Sequence, residues 1–156
     1  MSRLPGVIAI SALIAFTTPA FAQNVKVPYW ASVRAEVVNM RVGPSTSYRI
    51  EWVYKRVFLP VKIIRREEGW RLVEDPDGTK GWMLGRMLSR ARSAIVIGEG
   101  QADMRKEANV KSALLWRLEP GVVIRLHDCK SGWCNVELKN YKGFVRRDRL
   151  WGPGEP

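Results

Sequence analysis

Val38-Asn39-Met40-Arg41-Val42-Gly43-Pro44-Ser45 is the stretch on which the fold turns, because the chain writes its centre twice. Asn39-Met40-Arg41 returns as Asp103-Met104-Arg105, 64 residues later. Working outward, Trp52 returns as Trp116 at the same offset. Gly69-Trp70 returns as Gly132-Trp133 and Val73 as Val136, both at 63. Lys80-Gly81-Trp82 returns as Lys142-Gly143-Phe144 at 62. In each copy a leucine, Leu88 or Leu150, stands seven residues beyond that glycine. An offset that drifts by only two residues over so many matches marks an internal duplication. The copies run over 30–90 and 91–152. Each is close to the size, about 60 residues, at which one core folds only marginally.

Both copies read as strand. Leu59 to Arg65 is rich in β-branched residues and half-alternating, Glu67-Glu68-Gly69 is a tight turn, and Trp70 to Val73 returns. Asp75-Pro76-Asp77-Gly78 is a strong turn sequence with Pro at its second place. Copy two repeats the scheme with Val122 to Leu126, the turn Lys130-Ser131-Gly132, Trp133 to Leu138, a turn at Asn140-Tyr141 and a last strand at Gly143 to Val145. Five short strands per copy, with turns every 8–12 residues, predict two small barrels and an all-β chain. The join from Ser89 to Ser93 holds no Gly or Pro, which predicts a fixed relative orientation.

The first 22 residues read as an address. Arg3 gives a positive start, Val7 to Phe16 is an apolar run of ten, and Thr17-Thr18-Pro19 breaks it. Ala20-Phe21-Ala22 then offers small residues at the −3 and −1 positions before Gln23. This is the pattern of a secretory signal peptide, and it is too short to span a membrane. The alternative is an uncleaved N-terminal anchor. Residues 1–22 are expected to be removed, leaving a periplasmic or secreted protein with no membrane span.

The 156 residues are 46% hydrophobic and 26% charged, as in a folded protein rather than a disordered tail. Lys and Arg number 26 against 15 acids, a formal charge of +11. In the cytosol such a surplus with many aromatics would read as nucleic-acid binding. Export makes peptidoglycan carboxylates, lipid phosphates and acidic proteins the available anions instead. One His and two Cys exclude a Cys₄ zinc site.

Taken in order, N-M-R-x-G-P-S, x-L-P-V, G-W and K-G-W resemble the bacterial SH3-like domain. The second copy resembles it through D-M-R, L-E-P-G, D-C-x-x-G-W-C-x-V and Y-K-G-F-V-R-R-D-x-L-W-G. The resemblance implies tandem SH3-like β-barrels in a small exported protein, with no catalysis ascribed to the family. Similar domains attached to cell-wall hydrolases are thought to hold peptidoglycan. Copy two departs at Lys106-Glu107-Ala108, where copy one has Val42-Gly43-Pro44. Without the Gly-Pro turn, its first loop is expected to take a different shape.

Cys129 and Cys134 flank Lys130 to Trp133. A four-residue hairpin loop would set the two Cβ atoms face to face, and export permits a disulfide. A zinc half-site with His127 lacks a fourth ligand, and the spacing is not that of a C-x-x-C redox pair. At the 63-residue offset, Arg66 and Arg71 hold the cysteines' places, so copy two is expected to be the stiffer half. No Cys, His and polar orienter are free to form a nucleophilic set. Asp75, Asp77 and Asp148 sit in turns or among Arg residues rather than in apolar pockets. A non-catalytic chain without cofactor or metal is therefore expected.

Seven Trp make the aromatics the stronger signal. Amphipathic rings suit peptides and sugar faces. The ligand-binding candidates are Tyr48, Trp52, Tyr54 and Trp70 in copy one, and Trp116, Trp133 and Tyr141 in copy two. Tyr48, in the loop after Gly43-Pro44-Ser45, is the leading groove residue; Trp82 and Phe144 fall to the core. The expected partner is a cell-wall peptide or an exported protein. The alternatives are a structural or regulatory subunit of an exported enzyme and a nucleic-acid-binding small barrel.

Overall fold

The computed structural model describes residues 25–156, so the expected signal segment at 1–22 lies outside the described residues. Fourteen strands form two sheets. The first holds β1 (Tyr29–Val33), β2 (Val38–Arg41), β3 (Ile50–Tyr54), β4 (Pro60–Glu67), β5 (Trp70–Glu74), β6 (Lys80–Leu84) and β7 (Leu88–Ser89). The second holds β8 (Ser93–Val96), β9 (Ala102–Arg105), β10 (Leu114–Leu118), β11 (Val123–Lys130), β12 (Trp133–Leu138), β13 (Tyr141–Arg146) and β14 (Leu150–Trp151). Their orders, β3-β2-β6-β5-β4-β1-β7 and β10-β9-β13-β12-β11-β8-β14, are the same order shifted by seven. Each copy thus carries seven strands, where five were expected. The extra pair is an N-terminal strand and a two-residue strand after a single 3₁₀ turn, Gly85–Met87 or Arg147–Arg149.

The repeated motifs meet inside each barrel. Met40 and Met104 are fully buried, and the glycines of Lys-Gly-Trp and Lys-Gly-Phe lie against them. A Cβ on Gly143 would come 2.8 Å from the Arg105 carbonyl oxygen and 2.9 Å from Met104 Cγ. A Cβ on Gly81 would collide with Met40 Cγ. The arginine of the same motif closes the first loop. Arg41 Nη1 donates to the carbonyls of Thr46 (3.0 Å) and Tyr48 (2.6 Å), and Arg105 Nη1 to that of Ser112 (2.8 Å).

The two first loops have one shape, contrary to expectation. Val42 N–H donates to Arg49, Ser45 to Gly43 and Tyr48 to Ser45. Lys106 to Ala113, Asn109 to Glu107 and Ser112 to Asn109 repeat these bonds 64 residues on. The Asn109 side chain, which accepts from Lys111 N–H (2.9 Å), and Ser112 Oγ, which accepts from Glu107 N–H (2.9 Å), brace the second loop without Gly-Pro.

One strand of the second barrel also packs against the first barrel. All four residues of β8 are buried. Ala94 and Val96 face the second core while Ile95 joins the first, as the two-residue period of a strand requires. Ile97, Val123 and Trp151 also pack on the first core. Trp30 meets Trp151 edge to face at 4.6 Å, and its Nε1 donates to the Gly154 carbonyl (3.1 Å). Ser32 Oγ donates to Ala91 and Arg56 Nη1 to Gly121, at 2.9 and 2.6 Å. Apolar side chains of the second barrel reaching into the first core, together with these bonds, fix one barrel against the other.

Candidate functional site

One groove occurs twice. In the first barrel it lies among Val37, Asn39, Arg41, Thr46, Trp70 and Leu84 and encloses about 80 Å³. In the second it lies among Gln101, Asp103, Arg105, Val110, Trp133, Arg146 and Arg149 and encloses about 410 Å³. Every one of these second-barrel positions corresponds to a first-barrel position through the repeat, Arg149 answering to Met87. The floors are Trp70 and Trp133, each only 8% exposed and each outside the two core clusters. The strand period explains this: Cys134 and Val136 point into the core, so Trp133 points to the outer face. Trp70 and Trp133 thus offer only a small part of their surface to a ligand. Trp82, expected in the core, is buried on the same outer side beneath Arg65, 5.8 Å from its ring.

The two grooves differ in chemistry. Around Trp133 stand the pairs Arg105–Asp103 and Arg146–Asp148, the latter at 3.1 Å, with Arg146 5.7 Å over the Trp133 ring. The bond from Arg146 holds the Asp148 carboxyl below the usual carboxylate range. Arg149 forms a wall: its Nη2 donates to the carbonyls of Glu99 (2.8 Å) and Gly100 (2.7 Å), and its Nε to that of Ile97 (3.2 Å). The first groove is lined mainly by apolar side chains and holds far less space.

The remaining predicted residues separate into distinct roles. Trp116 and Tyr141 come together on the second barrel, ring centroids 5.1 Å apart, and both are about half exposed. Leu114 and Leu115, on the same edge strand β10, are exposed as well. Trp52, more than half exposed, holds the matching place on the edge strand β3. Tyr48 is exposed, and its ring lies flat against Gly43, where a Cβ would come within 2.6 Å. Tyr54 is half-buried and turns inward: its hydroxyl donates to Asp75 Oδ2 at 2.7 Å. Asp75 Oδ1 accepts the N–H groups of Asp77 and Thr79, so this carboxylate organises the Pro-Asp-Gly turn. Burial, then this bond, raise the Tyr54 pKa far above its ordinary value.

Cys129 and Cys134 are directly paired across the β11–β12 hairpin and take disulfide geometry. The connection is tighter than the four-residue loop expected: Lys130 pairs with Trp133, leaving Ser131-Gly132 as the turn. Both turn residues have positive φ (50° and 80°), which glycine supplies without strain. Among the described residues no three His, Cys, Asp or Glu side chains are placed to hold a metal, and no helix is long and apolar enough to cross a membrane. Sequence reasoning missed Arg146, Asp148 and Arg149 as groove residues. Their signal was the Arg-Arg-Asp-Arg run beside the Trp133 strand.

A curated relative, the putative N-acetylmuramoyl-L-alanine amidase YrvJ of Bacillus subtilis, is 22% identical over 125 residues. The match covers 69% of this chain but only 24% of that protein. Among solved structures, NlpC2 and NlpC1 from Trichomonas vaginalis are each 13% identical with a TM-score of 0.37; they cover 83% and 85% of this chain and 50% and 48% of their own. An NlpC/P60 family protein from Bacillus cereus has a TM-score of 0.34 at 13% identity, covering 79% of this chain and 56% of its own. The bacterial SH3 domain model matches residues 34–89 and again 98–152, well over half of the chain. On that match, laid over two sheets of identical strand order, the chain belongs to the bacterial SH3 domain family.

Proposed function

We propose that this chain is a non-catalytic, exported binding module and that the second barrel's groove holds a cell-wall peptide. The observation that carries the reading is the groove over Trp133, where guanidinium and carboxylate groups stand together beside a largely buried indole. A peptide that bears both amines and carboxylates finds a partner of opposite sign for each, while Val110 and the accessible part of Trp133 take apolar side chains. The amidase relative adds support from its name, which specifies the muramoyl–alanine junction of a cell-wall peptide. The signal-like start at 1–22 supports delivery outside the cytoplasm.

The test is co-sedimentation with purified peptidoglycan at about 50 and about 150 mM salt, where screening of exposed charge differs clearly. The wild-type chain is expected in the pellet at both, and Arg146→Gln with Asp148→Asn is expected to release it. A chain absent from the pellet at both salts would overturn the cell-wall reading. A second reading, a protein partner on an exported enzyme, is favoured by the exposed Trp116–Tyr141 pair on an edge strand whose Leu114 and Leu115 are exposed too. Stoichiometric co-purification of one protein, lost in Trp116→Ser, would support it.

A further inference from the structure

Phe58 has φ +65°, a conformation that aromatic residues rarely take. Its counterpart in the repeat is Gly121, at φ +87°. The two backbones do the same work: Phe58 N–H donates to Val33 (2.7 Å), and Gly121 N–H to Val96 (2.8 Å). The fold therefore asks for a left-handed residue here. The second barrel meets the demand with glycine, whereas the first places a large ring there and bears the strain. Only three non-glycine residues have positive φ among the described residues, and a second, Lys139 (φ +51°), lies in the same cleft.

That cleft lies between the barrels and encloses about 340 Å³, within the range of small-ligand sites. Phe58 and Val57 form one wall, and Val123, Leu138 and Lys139 belong to the other. Arg125 stacks over the Phe58 ring at 5.1 Å. Its cross-strand neighbour Glu137 turns instead to His127, at 3.2 Å. The Arg125 guanidinium thus has no acceptor among the described residues and lies against the face of the Phe58 ring. An unpaired guanidinium and a lysine lining the same cleft as apolar side chains fit a carboxylate carried on an apolar group.

We propose that the cleft between the barrels is a second binding site, taking the terminal carboxylate of a peptide whose last residue is apolar. Arg125 receives the carboxylate as a fork, Lys139 adds a second cation, and Phe58, Val57 and Leu138 receive the side chain. Nothing in this site depends on the groove over Trp133.

The test is an amide-resolved NMR titration of the purified chain with acetyl-trialanine as free acid and as C-terminal amide. The acid is expected to shift the Phe58, Arg125 and Lys139 signals saturably at millimolar concentration. The amide should bind about tenfold more weakly, as should Arg125→Gln with the acid. Phe58→Gly, which installs the residue of the second barrel, should lose the same factor while its melting temperature holds or rises. Shifts that fail to saturate, that are equal for acid and amide, or that persist in both variants would overturn the proposal.

Discussion

Arg66 faces Arg71 across the β4–β5 hairpin in the register that Cys129 and Cys134 take across β11–β12. Two like charges therefore stand in one barrel where a covalent link stands in the other. Each arginine escapes its neighbour, Arg66 toward the Val25 carbonyl (3.4 Å) and Arg71 toward that of Trp70 (2.7 Å). Moving the link across the repeat should move the stability with it. Arg66→Cys with Arg71→Cys, oxidised, is expected to raise the first barrel by roughly 2 kcal/mol in the chain-entropy account of a short loop. Reductant should remove that gain and lower the second barrel of the wild type by a similar amount. Denaturant titration with and without reductant reads both; a pair that oxidises without shifting the midpoint would contradict the equivalence.

The glycine of each Lys-Gly-aromatic motif is fixed by packing on methionine, not by turn geometry. Gly143→Ala sets a Cβ against both the Arg105 carbonyl and Met104, so backbone has to move. Overpacking of this kind costs about 1–3 kcal/mol. Gly81→Ala meets the Met40 side chain first, with the Arg41 carbonyl at 3.1 Å, and should fall at the lower end of that range. Paired urea curves decide the order. Equal, negligible losses would remove the packing explanation.

Tyr54 keeps its proton because its hydroxyl is part-buried and donates to Asp75. Its folded pKa lies above the unfolded value of about 10. The stability it brings is therefore full below pH about 10 and drains away as pH rises beyond it, because only the unfolded chain then ionises. Tyr54→Phe removes this slope and leaves the Asp75 oxygen short of one donor, a loss of about 1–3 kcal/mol near neutrality. The difference between wild type and variant, followed from pH 8 to 11 by chemical unfolding, should shrink above pH about 10. A difference that stays constant would mean the hydroxyl is not held neutral by the fold.

The duplication was legible because its motifs are the two sides of one contact: Met40 on Gly81, and Met104 on Gly143, must change together. The Cys129–Cys134 pairing was legible because residues flanking a tight turn face each other. The shape of the loop at Lys106 was not, since Asn109 only repeats the bond that Ser45 makes in the first loop, and the bond peculiar to the second, Glu107 N–H to Ser112 Oγ, joins residues five apart. The aromatic candidates divided for the same reason. Composition sees a ring, but only pairing register sends Trp133 to the outer face and Tyr54 to Asp75. Phe58 was invisible because its strain appears only beside Gly121, once both backbones are known.

Arg149 gives the last prediction. Its guanidinium gathers the carbonyls of Ile97, Glu99, Gly100 and Gln101, holding a loop whose two glycines, Gly98 and Gly100, both have positive φ. A loop rich in left-handed glycine has much conformational freedom to lose, so one polydentate side chain is the main restraint on it. Met87 stands at the matching place in the first barrel. Arg149→Met preserves length and apolar contact but releases every one of those carbonyls to water. Hydrogen exchange at residues 98–101 should quicken by about tenfold or more, the scale of one lost charge-assisted bond, while exchange in β11 and β12 stays unchanged. Because Gln101 of the same loop lines the groove over Trp133, the proposed binding of cell-wall peptide there should weaken in parallel. Unchanged exchange at 98–101 would show that the loop holds itself and that Arg149 is free to meet a ligand directly.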